Sequence, residues 1–383
     1  MKSRPYWIEK IEQLWKSHSV IWLPGVRRVG KTTLCRSLAN TEYFDCELPR
    51  QRRVLEDPES FLNATRGKRI VLDEIQRLTN PSELLKIAAD HFPETRIIAT
   101  GSSTLDATHK FRDSLTGRKV ELWLTPAISM DCKAFQVNDL GQRLYRGGLP
   151  PFLLAEEQSE RDFQEWMDAY WAKDIQELFR LERRQSLLRF VEMLLISSGG
   201  IFEATRFARP CEVSRTTISN YLGVLETTLV AHVVRPYSTG RNAEIIAAPK
   251  VYGFDTGFVC YFRGWHQPRS DDLGLLWEHY VLNELQARLQ TRRINYWRDK
   301  QGHEVDFIFA RHGESPVAIE CKESATDFDP ASLKAFAARY EHARCYVTTP
   351  DTDTTYTKRF ALLTVTFMSL ETLIEKLAAR ASA

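Results

Sequence analysis

The run Gly25-Val26-Arg27-Arg28-Val29-Gly30-Lys31-Thr32 sets two glycines, a lysine and a hydroxyl residue at the spacing G-x-x-x-x-G-K-[ST]. It follows the apolar segment Val20–Leu23 and opens a segment of helical periodicity, Lys31–Leu38. A loop in that setting cradles phosphates. Its backbone N–H groups, from Gly25 to Thr33, and the positive end of the helix would hold the phosphates of a nucleotide. Lys31 would reach the β and γ oxygens and Thr32 would ligate Mg²⁺, so ATP and Mg²⁺ are the expected cofactors.

Arg69-Ile70-Val71-Leu72-Asp73-Glu74 is an apolar strand that ends in two carboxylates. On the carboxyl edge of a parallel sheet, Asp73 would hold Mg²⁺ through water and Glu74 would polarise the attacking water as a general base. A third strand, Arg96-Ile97-Ile98-Ala99-Thr100, runs into Gly101-Ser102-Ser103, which would put a small hydroxyl, Ser102 or Ser103, beside the γ-phosphate. Arg118, in Thr116-Gly117-Arg118, is a candidate for the cation that stabilises the transition state.

Another chemistry-bearing group stands near the C-terminus. Glu304-Val305-Asp306-Phe307-Ile308-Phe309 and Val317-Ala318-Ile319-Glu320-Cys321-Lys322 read as two strands of a hairpin. Glu320 and Lys322 share one face of the pleat, and Glu320 interrupts an apolar run in which an unpaired carboxylate is costly. Two acids and a lysine can bind Mg²⁺ and activate water against a phosphodiester. Leu275, Glu278, Leu282, Leu285 and Leu289 fall on one stripe of a predicted helix, which points Glu278 inward. The constellation resembles the PD-(D/E)xK nuclease superfamily. That resemblance implies metal acids at Asp306 and Glu320, a catalytic lysine at Lys322 and a helix-borne site Glu at Glu278. His303 and Glu304 read as exposed hairpin residues, and Asp131-Cys132-Lys133 is an acid-x-Lys decoy with no upstream acidic strand.

Between these groups lies a candidate helix-turn-helix. Phe202–Ala208 reads as a short helix, Arg209–Val213 as a turn and Ser214 as the N-cap of a second helix. Ile218, Leu222 and Leu225 form its core face, leaving Arg215, Thr216, Ser219 and Asn220 outward, able to meet phosphates or base edges of DNA. Val230–Val234 would supply a wing. Residues 180–241 hold nine arginines against five glutamates, with neither Lys nor Asp, a local charge of +4. Arginine's planar fork suits phosphate.

These residues need elements to carry them. Alternating strand-like and helix-like segments through residue 130, with strands at Val20–Leu23, Tyr43–Cys46, Arg69–Leu72, Arg96–Thr100 and Val120–Leu124, predict an α/β unit with a parallel sheet. A helical stretch follows, and strands return after Pro249. Three regions are expected: 1–145 as the P-loop domain, 146–240 as a helical linker and winged helix, and 241–383 as an α/β domain like the restriction endonucleases. The chain has 383 residues, 43% hydrophobic and 27% charged, which fits an ordinary folded protein. The net charge of +2 by itself decides nothing about nucleic acid. Seven scattered cysteines without a Cys-x-x-Cys argue against disulfides and zinc. Without an apolar run of membrane length, or an apolar start, a cytoplasmic protein with no membrane partner is expected.

The chain resembles bacterial and archaeal AAA-type P-loop ATPases related to the archaeal ATPase group, over nearly its full length. The resemblance rests on Gly25 to Thr33, Asp73-Glu74, Gly101-Ser102-Ser103, Gly117-Arg118, Gly147-Gly148-Leu149-Pro150, Tyr170 with Asp174, and Pro249-Lys250-Val251-Tyr252 leading to Asp255-Thr256-Gly257. It implies an ATP-hydrolysing protein with a C-terminal half of unknown function; together with the candidate helix-turn-helix and the acidic cluster, the expectation is a protein that binds DNA and, if that cluster is active, cleaves it. Two alternatives stand: a nucleotide-gated signalling or scaffold ATPase with an inactive nuclease-like domain, and an NTP-dependent transcription regulator. A homo-oligomer or a protein partner is left open.

Overall fold

The computed structural model describes residues 2–101, 115–179, 183–238, 248–266, 269–311 and 313–382. They divide into two compact units, one built from 1–143, 147–188 and 222–230, the other from 144–146, 189–221 and 231–383. The region expected as a separate middle domain, 146–240, is therefore shared between the two. No helix among the described residues is long and apolar enough to cross a membrane.

In the first unit, β1 (Val20–Leu23), β2 (Thr41–Asp45), β3 (Arg69–Asp73), β4 (Arg96–Thr100) and β5 (Lys119–Glu121) form a parallel sheet in the order β2-β3-β4-β1-β5. The three central strands, Val-Ile-Trp-Leu, Arg-Ile-Val-Leu-Asp and Arg-Ile-Ile-Ala-Thr, are buried almost throughout, as strands covered on both faces must be. Trp22, Phe61, Leu72, Leu85 and Ile97 pack in the core beside them. Register pairs Leu23 with Thr100 and Leu72 with Ala99, so the loop after β1, Asp73 and Thr100 reach the same edge of the sheet. β5 is shorter than the expected 120–124, but Leu122 N and Leu124 N still donate to Trp22 O and Pro24 O at 2.9 Å and hold the chain beside the loop.

In the second unit the described strands form one sheet in the order β13-β14-β12-β11-β10-β9-β7-β8-β6. They are β6 (Gly200–Ile201), β7 (Ala231–Pro236), β8 (Lys250–Gly253), β9 (Asn295–Arg298), β10 (Glu304–Phe309), β11 (Val317–Cys321), β12 (Arg344–Thr348), β13 (Tyr356–Phe360) and β14 (Leu363–Met368). The expected hairpin forms: β10 and β11 are antiparallel, with Phe307 opposite Ile319. β7, expected as the wing of a separate module, instead bonds on one edge to β8 and on the other, through Arg235 and Pro236, to β9. The helix Ser270–Leu289 also departs from expectation. Leu276, Trp277 and every residue from 279 to 287 are buried, so it is enclosed on all sides rather than along one stripe.

Candidate functional site

The loop after β1 owes its shape to two glycines. A Cβ on Gly25 would lie 2.5 Å from Leu124 O, and Gly30 sits at φ +101°, a left-handed conformation that a side chain disfavours. Arg28 also has positive φ, 62°. The Lys31 ammonium folds over the loop and donates to Gly25 O at 2.7 Å and Val26 O at 3.2 Å. Burial lowers its pKa, opposed by the carboxylates of Glu74 and Asp174. Thr32 Oγ1 donates to Asp73 Oδ2 at 2.8 Å, and the hydroxyls of Tyr43 and Thr100 also donate to the buried Asp73 carboxylate. The strand-end acid and the loop hydroxyl thus stand side by side, which is the donor set an Mg²⁺ ion at a nucleotide needs. Glu74, at φ 56°, leaves the strand direction, takes a hydrogen bond from Gln76 Nε2 and lines the same cavity of about 570 Å³ as Lys31 and Thr32.

Three contacts brace this loop from outside the motif. Arg4, almost fully buried, donates to Val29 O and Thr125 O at 3.0 Å and pairs with Asp131 at 2.5 Å. Asp131 also accepts from Trp7 Nε1 and from the Ile128 backbone at 3.1 Å. From a π-helical turn, Tyr170–Ile175, Asp174 accepts from Arg27 Nε at 2.8 Å, and from the preceding helix, Glu160–Ala169, Trp166 Nε1 donates to Arg27 O at 3.1 Å.

Ser214 Oγ accepts from Thr217 N at 3.1 Å, capping the helix Arg215–Thr227 as expected; the helix belongs to the second unit through Tyr221 and to the first from Leu222. Ile218, Leu222 and Leu225 are buried, whereas Arg215, Thr216, Ser219 and Asn220 are exposed.

The C-terminal acids do come together. Glu320, only 3% exposed, pairs with Lys322 Nζ at 3.0 Å, and Asp306 Oδ2 accepts from Cys321 N at 2.8 Å. Burial, reinforced by Asp306, pushes the Glu320 carboxyl well above its ordinary range. Glu278 faces Asp306 electrostatically but is engaged elsewhere: Lys250 Nζ donates to it at 2.9 Å and to Glu304 at 2.8 Å, and the Tyr252 hydroxyl also donates to Glu278. Burial of Lys250 would lower its pKa, but the surrounding acids, Glu278 foremost, hold it raised. Among the described residues no three His, Cys, Asp or Glu side chains converge to hold a metal ion. The expected divalent site with Glu278 as a member does not fit; a lysine ammonium stands against that carboxylate.

Three family models match the chain: an AAA domain over residues 17–130, a domain of unknown function (DUF8612) over 137–269 and a second (DUF4143) over 273–370. Uncharacterized protein Rv2008c of Mycobacterium tuberculosis is 30% identical over 348 residues, covering 86% of this chain and 76% of its own length. The Mycobacterium bovis protein Mb2031c matches to the same extent. The chain belongs to this AAA-type ATPase family. Among solved structures, the Walker-type ATPase paby2304 of Pyrococcus abyssi is 16% identical, covering 69% of this chain and 96% of its own, with a TM-score of 0.43. The Aeropyrum pernix ORC1 protein, in complex with DNA, is 15% identical, covering 67% and 92%, with a TM-score of 0.26.

In this AAA-type ATPase the structure gathers Lys31, Thr32, Asp73 and Glu74 at one edge of the sheet. It does not bring Arg118 there. Arg118 precedes Lys119, which registers with Val20 at the start of β1, so it lies at the opposite edge, where its Nε donates to Asp90 at 2.7 Å. Ser102 lies outside the described residues. Glu304, read as an exposed hairpin residue, is half-buried on Lys250; His303 pairs with Asp299 at 2.7 Å. Sequence reasoning missed Arg4 and Tyr43, read Asp131 only as part of a decoy, and named Lys250 and Tyr252 only within the family pattern, without a site role. Lys250 was partly legible: a lysine that opens the short apolar strand Lys250–Gly253 bears a desolvation cost like the one that singled out Glu320.

Proposed function

We propose that this AAA-type ATPase hydrolyses ATP with Mg²⁺ at the Gly25–Thr33 loop and uses its nucleotide state to control a grip on DNA. The observation that carries the reading is the Thr32–Asp73 contact at 2.8 Å with Glu74 and Lys31 lining the same cavity. The loop N–H groups and Lys31 would bind the phosphates, and Thr32 and Asp73 would hold the ion, which when bound neutralises phosphate charge. Glu74 would accept the proton of the attacking water. Lys31→Ala should abolish turnover. Glu74→Gln should bind ATP as the wild type does and lose turnover by about 10²–10⁴-fold, the usual worth of a general base; turnover unchanged in both variants would sink the ATPase reading.

The grip on DNA is assigned to the helix Arg215–Thr227. Its four exposed donors, the +4 segment and the antiparallel strands β6-β8-β7 after the helices Arg184–Ile196, Ala204–Ala208 and Arg215–Thr227 support a winged helix-turn-helix.

A second reading concerns the C-terminal cluster. The contacts of Lys250 with Glu278 and Glu304 favour a nuclease-like domain retained without hydrolysis. Single-stranded, duplex and branched DNA should survive incubation with the protein in Mg²⁺ or Mn²⁺. Cleavage that disappears in Glu320→Ala would restore the active-nuclease reading.

A further inference from the structure

We propose that the π-helical turn Tyr170–Ile175 relays nucleotide occupancy from the loop to the helix Arg215–Thr227, with Asp174 competing against bound phosphate for Arg27. The proposal rests on the reading of the Gly25–Thr33 loop as an ATP site and adds two positioning residues, Asp174 and Tyr170.

At one end of the relay, a single loop residue is held twice by one helical stretch. Asp174 takes the Arg27 side chain at 2.8 Å, and Trp166 Nε1 takes the Arg27 carbonyl at 3.1 Å. Asp174 lines the same cavity as Lys31, Thr32 and Glu74, so its carboxylate is part of the charge balance around the loop's cations. Phosphates entering that cavity bring negative charge toward Asp174 and offer Arg27 a second anionic partner. Both effects weaken the Arg27–Asp174 pair. Asp174 therefore opposes nucleotide binding, and nucleotide binding loosens the turn from the loop.

At the other end, the same turn begins with Tyr170, whose ring stacks on Trp166 with centroids 5.3 Å apart and planes at 17°. The Tyr170 hydroxyl and Thr228 Oγ1 share a buried hydrogen bond of 2.7 Å, and Thr228 Oγ1 donates to Val224 O at 2.9 Å. The phenol is thus fastened to the C-terminal end of the helix whose first two turns expose Arg215, Thr216, Ser219 and Asn220. Residues 222–227 of that helix belong to the same unit as the turn, and its backbone hydrogen bonds run without a break from there back to Arg215. Single π turns inside α-helices are frequent at functional sites, and here one residue of the turn faces the nucleotide cavity while another holds the helix end.

The test uses the full chain, a fluorescent ATP analogue, hydrogen exchange of residues 215–228 with and without a non-hydrolysable ATP, and a labelled DNA duplex. Asp174→Asn should bind the analogue about fivefold more tightly, because a partly exposed opposing charge is removed. In the wild type, nucleotide should change exchange in 222–228 and shift duplex affinity; both responses should vanish in Asp174→Asn and return in Asp174→Glu. Tyr170→Phe should keep wild-type affinity for the analogue yet lose both responses, a split that general loss of structure would not produce. Asp174→Asn binding the analogue no better than wild type overturns the competition. A wild type that binds nucleotide with no exchange response overturns the relay alone. A wild type that binds none overturns the ATP reading and the relay with it.

Discussion

Two carboxylates in the second unit are each held by a lysine, one from its own strand end and one from another strand, and burial raises both. Glu320 keeps Lys322 as its partner from the same strand end, whereas Glu278 draws Lys250 and Tyr252 from β8. Burial, with Asp306 nearby, raises the Glu278 pKa to about 7 from an ordinary 4.5, against the opposing pull of Lys250. The folded state therefore binds this proton more tightly than the unfolded state does. The stability that this contributes is complete below pH 4.5 and is lost as pH rises through about 7. Glu278→Gln, which cannot titrate, should gain on the wild type between pH 5 and pH 8, read as the difference of their urea midpoints. A constant difference would show that Glu278 is ionised throughout. At this scale, residues within a contiguous motif were legible in the sequence. Lys31, Thr32, Asp73 and Glu74 announce themselves by spacing and strand context, while Arg4 with Asp131 and Lys250 with Glu278 meet only through tertiary folding.

Strand direction decides what an isolated arginine can do. β1 and β5 are parallel, so Lys119 pairs with Val20 at the start of β1, and the phosphate loop lies beyond its other end at Leu23. Arg118 is thereby held at the edge away from its own nucleotide, paired with Asp90. Arg118→Ala should leave the affinity of a single chain for ATP unchanged, measured by titration of a fluorescent analogue at dilute protein. A clear weakening would place Arg118 at its own loop and contradict the register. The central strands and the capped helix at Arg215 were readable because continuous apolar runs and an N-cap are local signals. The role of β7 was not, because bonding to both β8 and β9 depends on partners distant in the chain. The π turn at Tyr170 leaves no periodicity in sequence by which to find it.

The whole chain crosses between its two compact units, and residues 222–230 return to the first after 189–221 have joined the second. The family models divide the chain at 17–130, 137–269 and 273–370, whereas spacing and composition put the second boundary at 240; neither division shows this interleaving, which arises from contacts rather than from boundary residues. Each unit has its own buried sheet and hydrophobic core. A ligand of the Gly25–Thr33 loop should therefore stabilise the first unit selectively. With a non-hydrolysable ATP and Mg²⁺ at a hundred times the dissociation constant, linkage adds about 2.7 kcal/mol to that unit. For a unit of this size that raises its calorimetric transition by roughly 5–11 °C. The transition of the second unit should stay in place, because the loop, Asp73 and Glu74 all belong to the first. Lys31→Ala should show neither shift. If both transitions rise together in the wild type, the stabilisation is not selective for the unit that holds the loop, and this prediction fails.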